Sequence, residues 1–218
     1  ILVLLLTGIM VLSSAPVLSA GASPEPYPVP SSKVSNLEAD SYFQGYQGSF
    51  VLYDMSEDRW DIYNKEGAAA RYSPDSTYKI YTALFALESG IITPQSSGLS
   101  WDGSAYPFES WNRDQDLDSA MKNSVNWYFQ KLDAELCADN VGRYLKQISY
   151  GNQDISGGMT QYWLESSLKI SPAEQVELLV DFYKNNFKFS QKNIQKTAEA
   201  YEKMSAVQPG LTYSDAAD

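Results

Sequence analysis

The sequence predicts an α+β fold in which helices surround a small antiparallel sheet, and three observations support this prediction. Two β-prone runs, residues 50–54 and 60–64, flank a polar turn, which is typical of a β-hairpin. Segments 73–91 and 171–185 carry apolar residues at helical spacing. Strands and helices do not alternate regularly and the chain has no internal repeat, which favours α+β over a parallel α/β sheet.

Composition limits the partners and the chemistry of the chain. It has 218 residues, of which 44% are hydrophobic, enough for one globular domain with a tail. The net charge of −11 argues against nucleic acid as a partner and against docking on an anionic membrane surface. Histidine is absent, which excludes Ser-His-Asp and Cys-His catalysis and a histidine zinc site. The single cysteine, Cys137, allows no internal disulfide and is expected to be a small core residue.

The first 41 residues differ in composition from the rest. Residues 1–22 are apolar and uncharged, which predicts either a transmembrane helix or a signal peptide. Because the chain does not open on Met, further sequence upstream is expected. Alternating prolines favour an extended linker over residues 23–41, followed by the folded domain at 42–218. This order predicts a domain at the extracellular face of the cell membrane, or a secreted one if residues 1–22 are removed.

The segment SPDSTYKIYTALFALESG, residues 73–90, predicts a helix that is buried on all sides. Ser73 is expected at its N-cap and Pro74 at its first position. Ser76 and Lys79 lie three residues apart in the first turn, so their side chains share a face. Burial and the positive helix end lower the pKa of such a lysine, and a neutral amine beside a hydroxyl supplies a general base and a nucleophile. The alternative is that Ser76 belongs to the cap and Lys79 extends to solvent.

Two further polar stretches are candidates for the same site. Residues 116–136 predict a helix with a break at Ser124-Val125-Asn126, which places a hydroxyl and an amide two residues apart. Tyr150-Gly151-Asn152 predicts a turn. Taken singly, each stretch is typical of an ordinary loop. Ser171 and Glu174, on either side of Pro172, form a capping box that predicts a helix through about residue 185.

Taken in order, Ser76-Thr77-Tyr78-Lys79, Ser124-Val125-Asn126 and Tyr150-Gly151-Asn152 resemble the motifs of the penicillin-recognising serine family. The likeness covers residues 48–186 and includes SAMKNSVNWYF and YGNQDISGGMTQYWLESSLKISPAEQVELL. Within that family, the sequence is most similar to class D β-lactamases and to the extracellular domains of β-lactam sensor-transducers. The resemblance implies a β-lactamase/transpeptidase-like fold.

The resemblance also implies roles for individual residues. Ser76 would be the acylated nucleophile, Lys79 its base, and Ser124 the carrier of a proton to the leaving nitrogen. The residues implied to bind substrate or to form the edge of the site are Asn126, Tyr150, Gly151, Asn152 and Trp163, the last one flanking the lysine. No metal or cofactor is implied beyond a CO2-derived carbamate, which the lysine at the position of Lys79 often carries in this branch. Asn126 stands where class D enzymes usually have valine, and the sensor branch resembles this sequence in having asparagine. An amide there is expected to hydrogen-bond the amine and disfavour the carbamate once acylation has happened.

The family's third motif, Lys-Thr/Ser-Gly on a strand, has no match in this sequence. The nearest stretch is Lys196-Thr197-Ala198, which lies in helical sequence and lacks the glycine. The C-terminal strands that complete the family's sheet are therefore expected to be missing from the domain.

Three functions remain open from the sequence. The first is the sensor domain of a membrane signal transducer for antibiotic response, which is acylated by penicillin and other β-lactams. Its expected partners are β-lactam antibiotics, the membrane through residues 1–22, and an upstream membrane or protease domain, with no nucleic acid. The alternative is an exported class D β-lactamase that hydrolyses β-lactams. The third is a degenerate member of the family that is not acylated.

Overall fold

The computed structural model describes residues 33–205, and the side chains of residues 33–203. The predicted transmembrane helix or signal peptide at 1–22 lies outside the described residues. Between residues 33 and 205, none of the helices combines the length and the apolar character needed to span a bilayer.

A three-stranded sheet lies at one end of the described chain. Its strands are β1 (Val34–Asn36), β2 (Phe50–Asp54) and β3 (Arg59–Tyr63), in the order β1-β3-β2. Strands β2 and β3 pair antiparallel, as the hairpin prediction requires, with Val51 opposite Ile62. Strand β1 pairs parallel with β3, so the sheet is mixed rather than purely antiparallel.

The linker prediction for residues 23–41 needs correction at its end. Residues 34–36 form β1, and residues 40–43 form a short helix, so the ordered fold begins before residue 42. The backbone explains this: Trp60 N–H donates to the carbonyl of Lys33 at 3.0 Å, and Leu37 N–H donates to that of Ile62 at 2.9 Å. After Pro30, the last proline of the linker, each residue has a backbone N–H that can pair with the edge of a sheet.

Seven α-helices are described, separated by short connections and 3₁₀ turns. They are α1 (Asp40–Phe43), α2 (Lys65–Ala69), α3 (Lys79–Glu88), α4 (Leu117–Lys122), α5 (Asn126–Gln147), α6 (Pro172–Lys184) and α7 (Gln191–Ser205). The 3₁₀ turns are Asp75–Tyr78 and Glu109–Trp111. The predicted break between α4 and α5 is confirmed, and α5 continues beyond the predicted end with a kink at Cys137. Cys137 is exposed, not part of the core as expected, and it lies at the kink itself, where its φ of 59° departs from helical geometry.

Helix α3 forms the centre of the main core. Every residue from Lys79 to Leu87 is buried, as the all-round apolar pattern predicts. Helices α5 and α7 pack against it, and burial of each large apolar side chain contributes about 1.5–3 kcal/mol. A smaller core lies between the sheet and helices α2 and α6; its members are Val51, Trp60, Ile62, Ala68 and Val176.

Two Ser-Pro segments lie side by side, one leading into α3 and the other into α6. Tyr72 and Ile170 pair through two backbone hydrogen bonds, of 3.0 and 2.9 Å, immediately before Ser73 and Ser171. At α6 the capping box is confirmed: Ser171 and Glu174 each accept the other's backbone N–H. At α3 the predicted N-cap is wrong, because the chain first makes the 3₁₀ turn Asp75–Tyr78 and no side chain caps it.

Candidate active site

The 3₁₀ turn before α3 presents Ser76 at the surface while Lys79 points into the interior. Ser76 is exposed and Lys79 is only 1% exposed. The three-residue spacing brings the Lys79 Nζ to 3.0 Å from the Ser76 Oγ. The predicted pair is therefore formed in the geometry that the sequence suggests.

Ser124 reaches this pair from the break between α4 and α5. Its φ of 51° turns the backbone out of helical geometry, so both its carbonyl and its hydroxyl face Lys79. The amine lies 2.7 Å from the Ser124 carbonyl oxygen and 2.6 Å from the Ser124 Oγ. The Ser124 hydroxyl also donates to the Ser76 Oγ at 3.0 Å. The three polar side chains thus form a closed triangle.

Burial sets the protonation of the lysine. It lowers the pKa of Lys79 to about 7, against a smaller opposite effect from Asp75. The rings of Phe129 and Trp163 lie on two sides of the amine, with centroids 5.8 and 5.6 Å from Nζ. A large fraction of the amine is therefore neutral near pH 7, as a general base requires. The alternative in which Lys79 extends to solvent is wrong.

An open cavity of about 360 Å³ lies in front of the triangle. Its lining residues are Ser76, Phe108, Ser110, Trp111, Asn123, Ser124 and Asn126. The rings of Phe108 and Trp111 are 5.1 Å apart and form one wall, while Ser76 and Ser124 bring hydroxyls to the floor. The volume is at the lower end of the range for small-molecule sites.

Asn126 and Trp163 both lie at the site, in different ways. Asn126 lines the cavity at the first residue of α5, and the hydrogen bonds described for Lys79 go to Ser76 and Ser124 instead of to its amide. Trp163 flanks the lysine as expected, with its ring facing the amine. Its indole N–H points elsewhere, to Asp133 at 2.8 Å.

Asp133 is a residue that sequence reasoning missed. It is a fully buried carboxylate on α5, seven residues after Asn126 and therefore on the same helix face. A signal existed: Asp133 interrupts the apolar stripe that includes Phe129, Leu132 and Leu136. A charged residue in such a stripe is rarely buried without a role.

Tyr150, Gly151 and Asn152 do not lie at the cavity. Tyr150 is buried behind the 3₁₀ turn, with its ring 5.3 Å from that of Tyr78. Gly151 has a φ of 44°, and a Cβ there would collide with the carbonyl oxygen of Lys169. The Asn152 side chain accepts from Lys169 N–H at 2.8 Å. The turn therefore lies behind the site. The Tyr150 ring is buried in the core, and the Asn152 amide oxygen accepts the backbone N–H of Lys169.

The segment that contacts this turn also holds the start of α3 in place. The Lys169 ammonium donates to the Ser73 hydroxyl at 3.0 Å, so Ser73 has a partner other than the helix end. Asp75 N–H donates to the carbonyl of Trp163 at 3.0 Å. These contacts fix the turn that carries Ser76.

The Lys196-Thr197 pair lies in helix α7, as its sequence predicts. The Lys196 amine is paired with Asp118 at 2.8 Å, and Thr197 is fully buried. Over residues 33–205, therefore, no strand carries a Lys-Thr-Gly motif.

A family model described as "Penicillin binding protein transpeptidase domain" matches residues 40–214. The chain belongs to this transpeptidase family. The recognition made from the three motifs is confirmed, and so is the β-lactamase/transpeptidase-like fold with helices and a small sheet.

Relatives within the family are of two kinds. "Regulatory protein BlaR1" of Bacillus licheniformis is 45% identical over 174 residues, which are 79% of this chain and 29% of that protein. The solved structure "C-terminal domain of the Bacillus licheniformis BlaR penicillin-receptor" matches at 46% identity with a TM-score of 0.75, covering 78% of this chain and 70% of that one. "Class D beta-lactamase BAT-2" matches at 40% identity with a TM-score of 0.73, covering 75% and 69%. The chain spans less than a third of the length of BlaR1.

Proposed function

We propose that this chain is a penicillin-sensing domain in which a β-lactam acylates Ser76 and is released slowly. The observation that carries the proposal is the triangle of Ser76, Lys79 and Ser124, with a buried amine of lowered pKa, next to an open cavity. Such a site activates a serine without histidine, and the sequence contains none.

The geometry supports a balanced acylation step. The neutral amine of Lys79 takes the proton of the Ser76 hydroxyl, and the Ser76 oxygen forms a bond with the β-lactam carbonyl carbon. The carbon–nitrogen bond of the ring then breaks, and the ring nitrogen receives a proton by way of the Ser124 hydroxyl. That hydroxyl is 2.6 Å from the Lys79 amine and so is supplied with the same proton.

Slow release distinguishes a sensor from a hydrolase. Release requires a base that activates water after acylation, and in class D relatives that base is implied to be a carbamate on the lysine. Asn126 lines the cavity beside the triangle where those enzymes usually carry valine. In the free site the amine bonds Ser76 and Ser124; we propose that the Asn126 amide disfavours the carbamate once Ser76 is acylated, so that the acyl group stays on Ser76. The 45% identity to BlaR1 supports the same function.

As a sensor, the domain would lie at the extracellular face of the membrane, attached through residues 1–22. Its message would go to an upstream membrane or protease domain. The second candidate is an exported class D β-lactamase, secreted once residues 1–22 are removed. The 40% identity to the structure "Class D beta-lactamase BAT-2" favours this candidate.

The mass of the intact 218-residue chain, followed over time with benzylpenicillin, tests the proposal. We expect one adduct per chain that persists while the remaining penicillin is not consumed. Ser76→Ala should abolish the adduct, and Asn126→Val should speed its loss. An adduct that disappears while penicillin is hydrolysed would support the β-lactamase. No adduct at all would leave the degenerate, non-acylated member of the family as the interpretation.

A further inference from the structure

Asp133 is a buried carboxylate that the acylation chemistry does not use directly. Within residues 33–205, no ion pair compensates its charge. Neutral donors do so instead: its Oδ2 accepts the indole N–H of Trp163 at 2.8 Å, and its Oδ1 lies 3.1 Å from the Tyr162 hydroxyl. An unpaired buried carboxylate is costly, so a reason for its position is needed.

The network around Asp133 reaches both sides of the lysine. Trp163 stands against the Lys79 amine, and the Tyr162 hydroxyl lies 2.8 Å from that of Tyr78, one residue before Lys79. The Tyr78 ring packs edge-on against Tyr162, with centroids 5.4 Å apart. Asp133 therefore binds directly the indole that covers the amine, and it reaches the Tyr78 hydroxyl only through Tyr162.

We propose that Asp133 is a positioning residue for acylation: it holds the indole of Trp163, which together with the ring of Phe129 keeps water from the amine of Lys79. The proposal rests on the proposed function of Ser76 and Lys79 and deepens it. With the tether broken, Trp163 is free to swing, water reaches the amine, and the ammonium form is stabilised again.

Few of the described side chains shift the pKa of Lys79 or of Asp133. Asp75 faces Lys79 from the 3₁₀ turn and favours its charged form. Tyr162 from the loop after α5 and Tyr78 from the 3₁₀ turn face Asp133, and both stay protonated at neutral pH because burial raises their pKa values. Burial also raises the pKa of Asp133 to about 7, so its own titration has to be separated from that of Lys79.

Lysine labelled with ¹³C at Cε makes the separation possible in the full chain. The Lys79 resonance is assigned by its loss in Lys79→Ala, and its midpoint is followed by NMR in the native chain and in two variants. Asp133→Leu removes both acceptors and should raise the midpoint by about one pH unit or more. Asp133→Asn keeps an oxygen for the Trp163 N–H and should leave the midpoint near the native value.

The acylation rate is the second readout, since a purely structural role would not move its pH dependence. Asp133→Leu should slow acylation by benzylpenicillin about tenfold at pH 7, with recovery at higher pH. Asp133→Asn should retain the native pH profile. If the ionisation near pH 7 vanishes in Asp133→Asn, it belongs to Asp133 itself and the positioning role is overturned.

Controls separate the tether from general loss of stability. Glu174→Gln alters another buried carboxylate, one paired with Arg71, and should leave the Lys79 midpoint unchanged. If Asp133→Leu does not fold, the smaller Asp133→Ala decides: it also removes both acceptors while leaving the Trp163 ring unchanged, and it should raise the midpoint. A folded Asp133→Leu with the native midpoint, or an equal shift in Glu174→Gln, would overturn the proposal. The NMR result does not depend on acylation, so an unreactive Ser76 would refute only the proposed function.

Discussion

Two Ser-Pro segments in this chain have nearly the same sequence signature and different structures. Ser171-Pro172 starts α6 with a regular capping box, and its serine and glutamate satisfy each other's backbone. Ser73-Pro74 starts α3 with a 3₁₀ turn instead, and its serine binds the Lys169 ammonium. The two segments are neighbours, joined by the Tyr72–Ile170 bridge, so both helices begin in the same part of the fold.

The difference lies in what each helix start has to carry. The start of α6 only has to begin a helix, and local hydrogen bonds suffice. The start of α3 has to expose the Ser76 hydroxyl while burying the Lys79 amine three residues later. Contacts from the loop at 163–169 hold that turn in place of a cap. The turn that carries Ser76 has no side-chain cap, and contacts with a distant loop stabilise it instead.

The largest effect should come from removing the base. Lys79→Met should lower the acylation rate by about 10²–10⁴-fold, because the Ser76 proton then has no acceptor of suitable pKa. The rate of adduct formation with benzylpenicillin measures this. Lys196→Met is the matched control, since Lys196 is paired with Asp118 on α7; a similar loss there would show that the effect is not specific to the site.

The pH dependence of acylation should follow the neutral amine. Since the pKa of Lys79 is about 7, the rate should fall close to tenfold per pH unit below that value and level off above it. Rates measured from pH 5 to 9 check this. A rate that is flat across the range would mean that Lys79 is not the titrating base.

The same pKa predicts how stability changes with pH. The folded pKa of Lys79, about 7, lies below the unfolded value of about 10.4, so between them the unfolded chain binds more protons. The contribution of Lys79 to the free energy of unfolding should therefore rise with pH from about 7 to 10. Comparing urea unfolding of the native chain with that of Lys79→Met over this range isolates it; identical slopes would contradict the burial.

Gly151→Ala should lower the free energy of unfolding by about 1–3 kcal/mol. The residue has a φ of 44°, and the added Cβ meets the carbonyl of Lys169. Urea unfolding measures the loss. Gly90 is a matched control: it also has a positive φ, of 72°, but open space around it, so Gly90→Ala should cost less. Equal losses would mean that backbone strain alone, and not the contact with Lys169, matters.

The smallest effects on the free energy of unfolding are expected from Ser171 and Ser73, the serines of the two Ser-Pro segments. Ser171→Ala should lower the free energy of unfolding by about 0.5–2 kcal/mol, because it removes a cap, without changing the acylation rate. Ser73→Ala removes only a partly exposed contact with Lys169 and should cost less. If Ser73→Ala were the more destabilising of the two, the contrast between the helix starts would not hold.

The sequence predicts the regular parts of this fold well. The hairpin, the buried α3, the break at Ser124 and the start of α6 all follow from patterns within a few residues. Strand β1 could not be predicted, because Val34–Asn36 is ordered by pairing with a distant strand and its own composition gives little signal. The position of Tyr150–Asn152 and the role of Asp133 also depend on packing between segments far apart in the chain.

The site itself shows the same division. The spacing of Ser76 and Lys79 was sufficient to predict their contact, since residues three apart in a turn share a face. That Ser124 completes the triangle came from the resemblance, because nothing local links residues 48 positions apart. Neither the spacing nor the resemblance predicted the hydrogen bond between Asp133 and Trp163.

The most direct test of the account is to locate the acyl group within the chain. After reaction with benzylpenicillin and denaturation, trypsin cleavage following Arg71 and Lys79 releases the peptide of residues 72–79, which contains both Ser73 and Ser76. Fragmentation of this peptide should place the penicilloyl mass on Ser76 alone, in the native chain and in Ser73→Ala. An adduct on Ser73, on any other residue, or on none would contradict the assignment of Ser76 as the nucleophile.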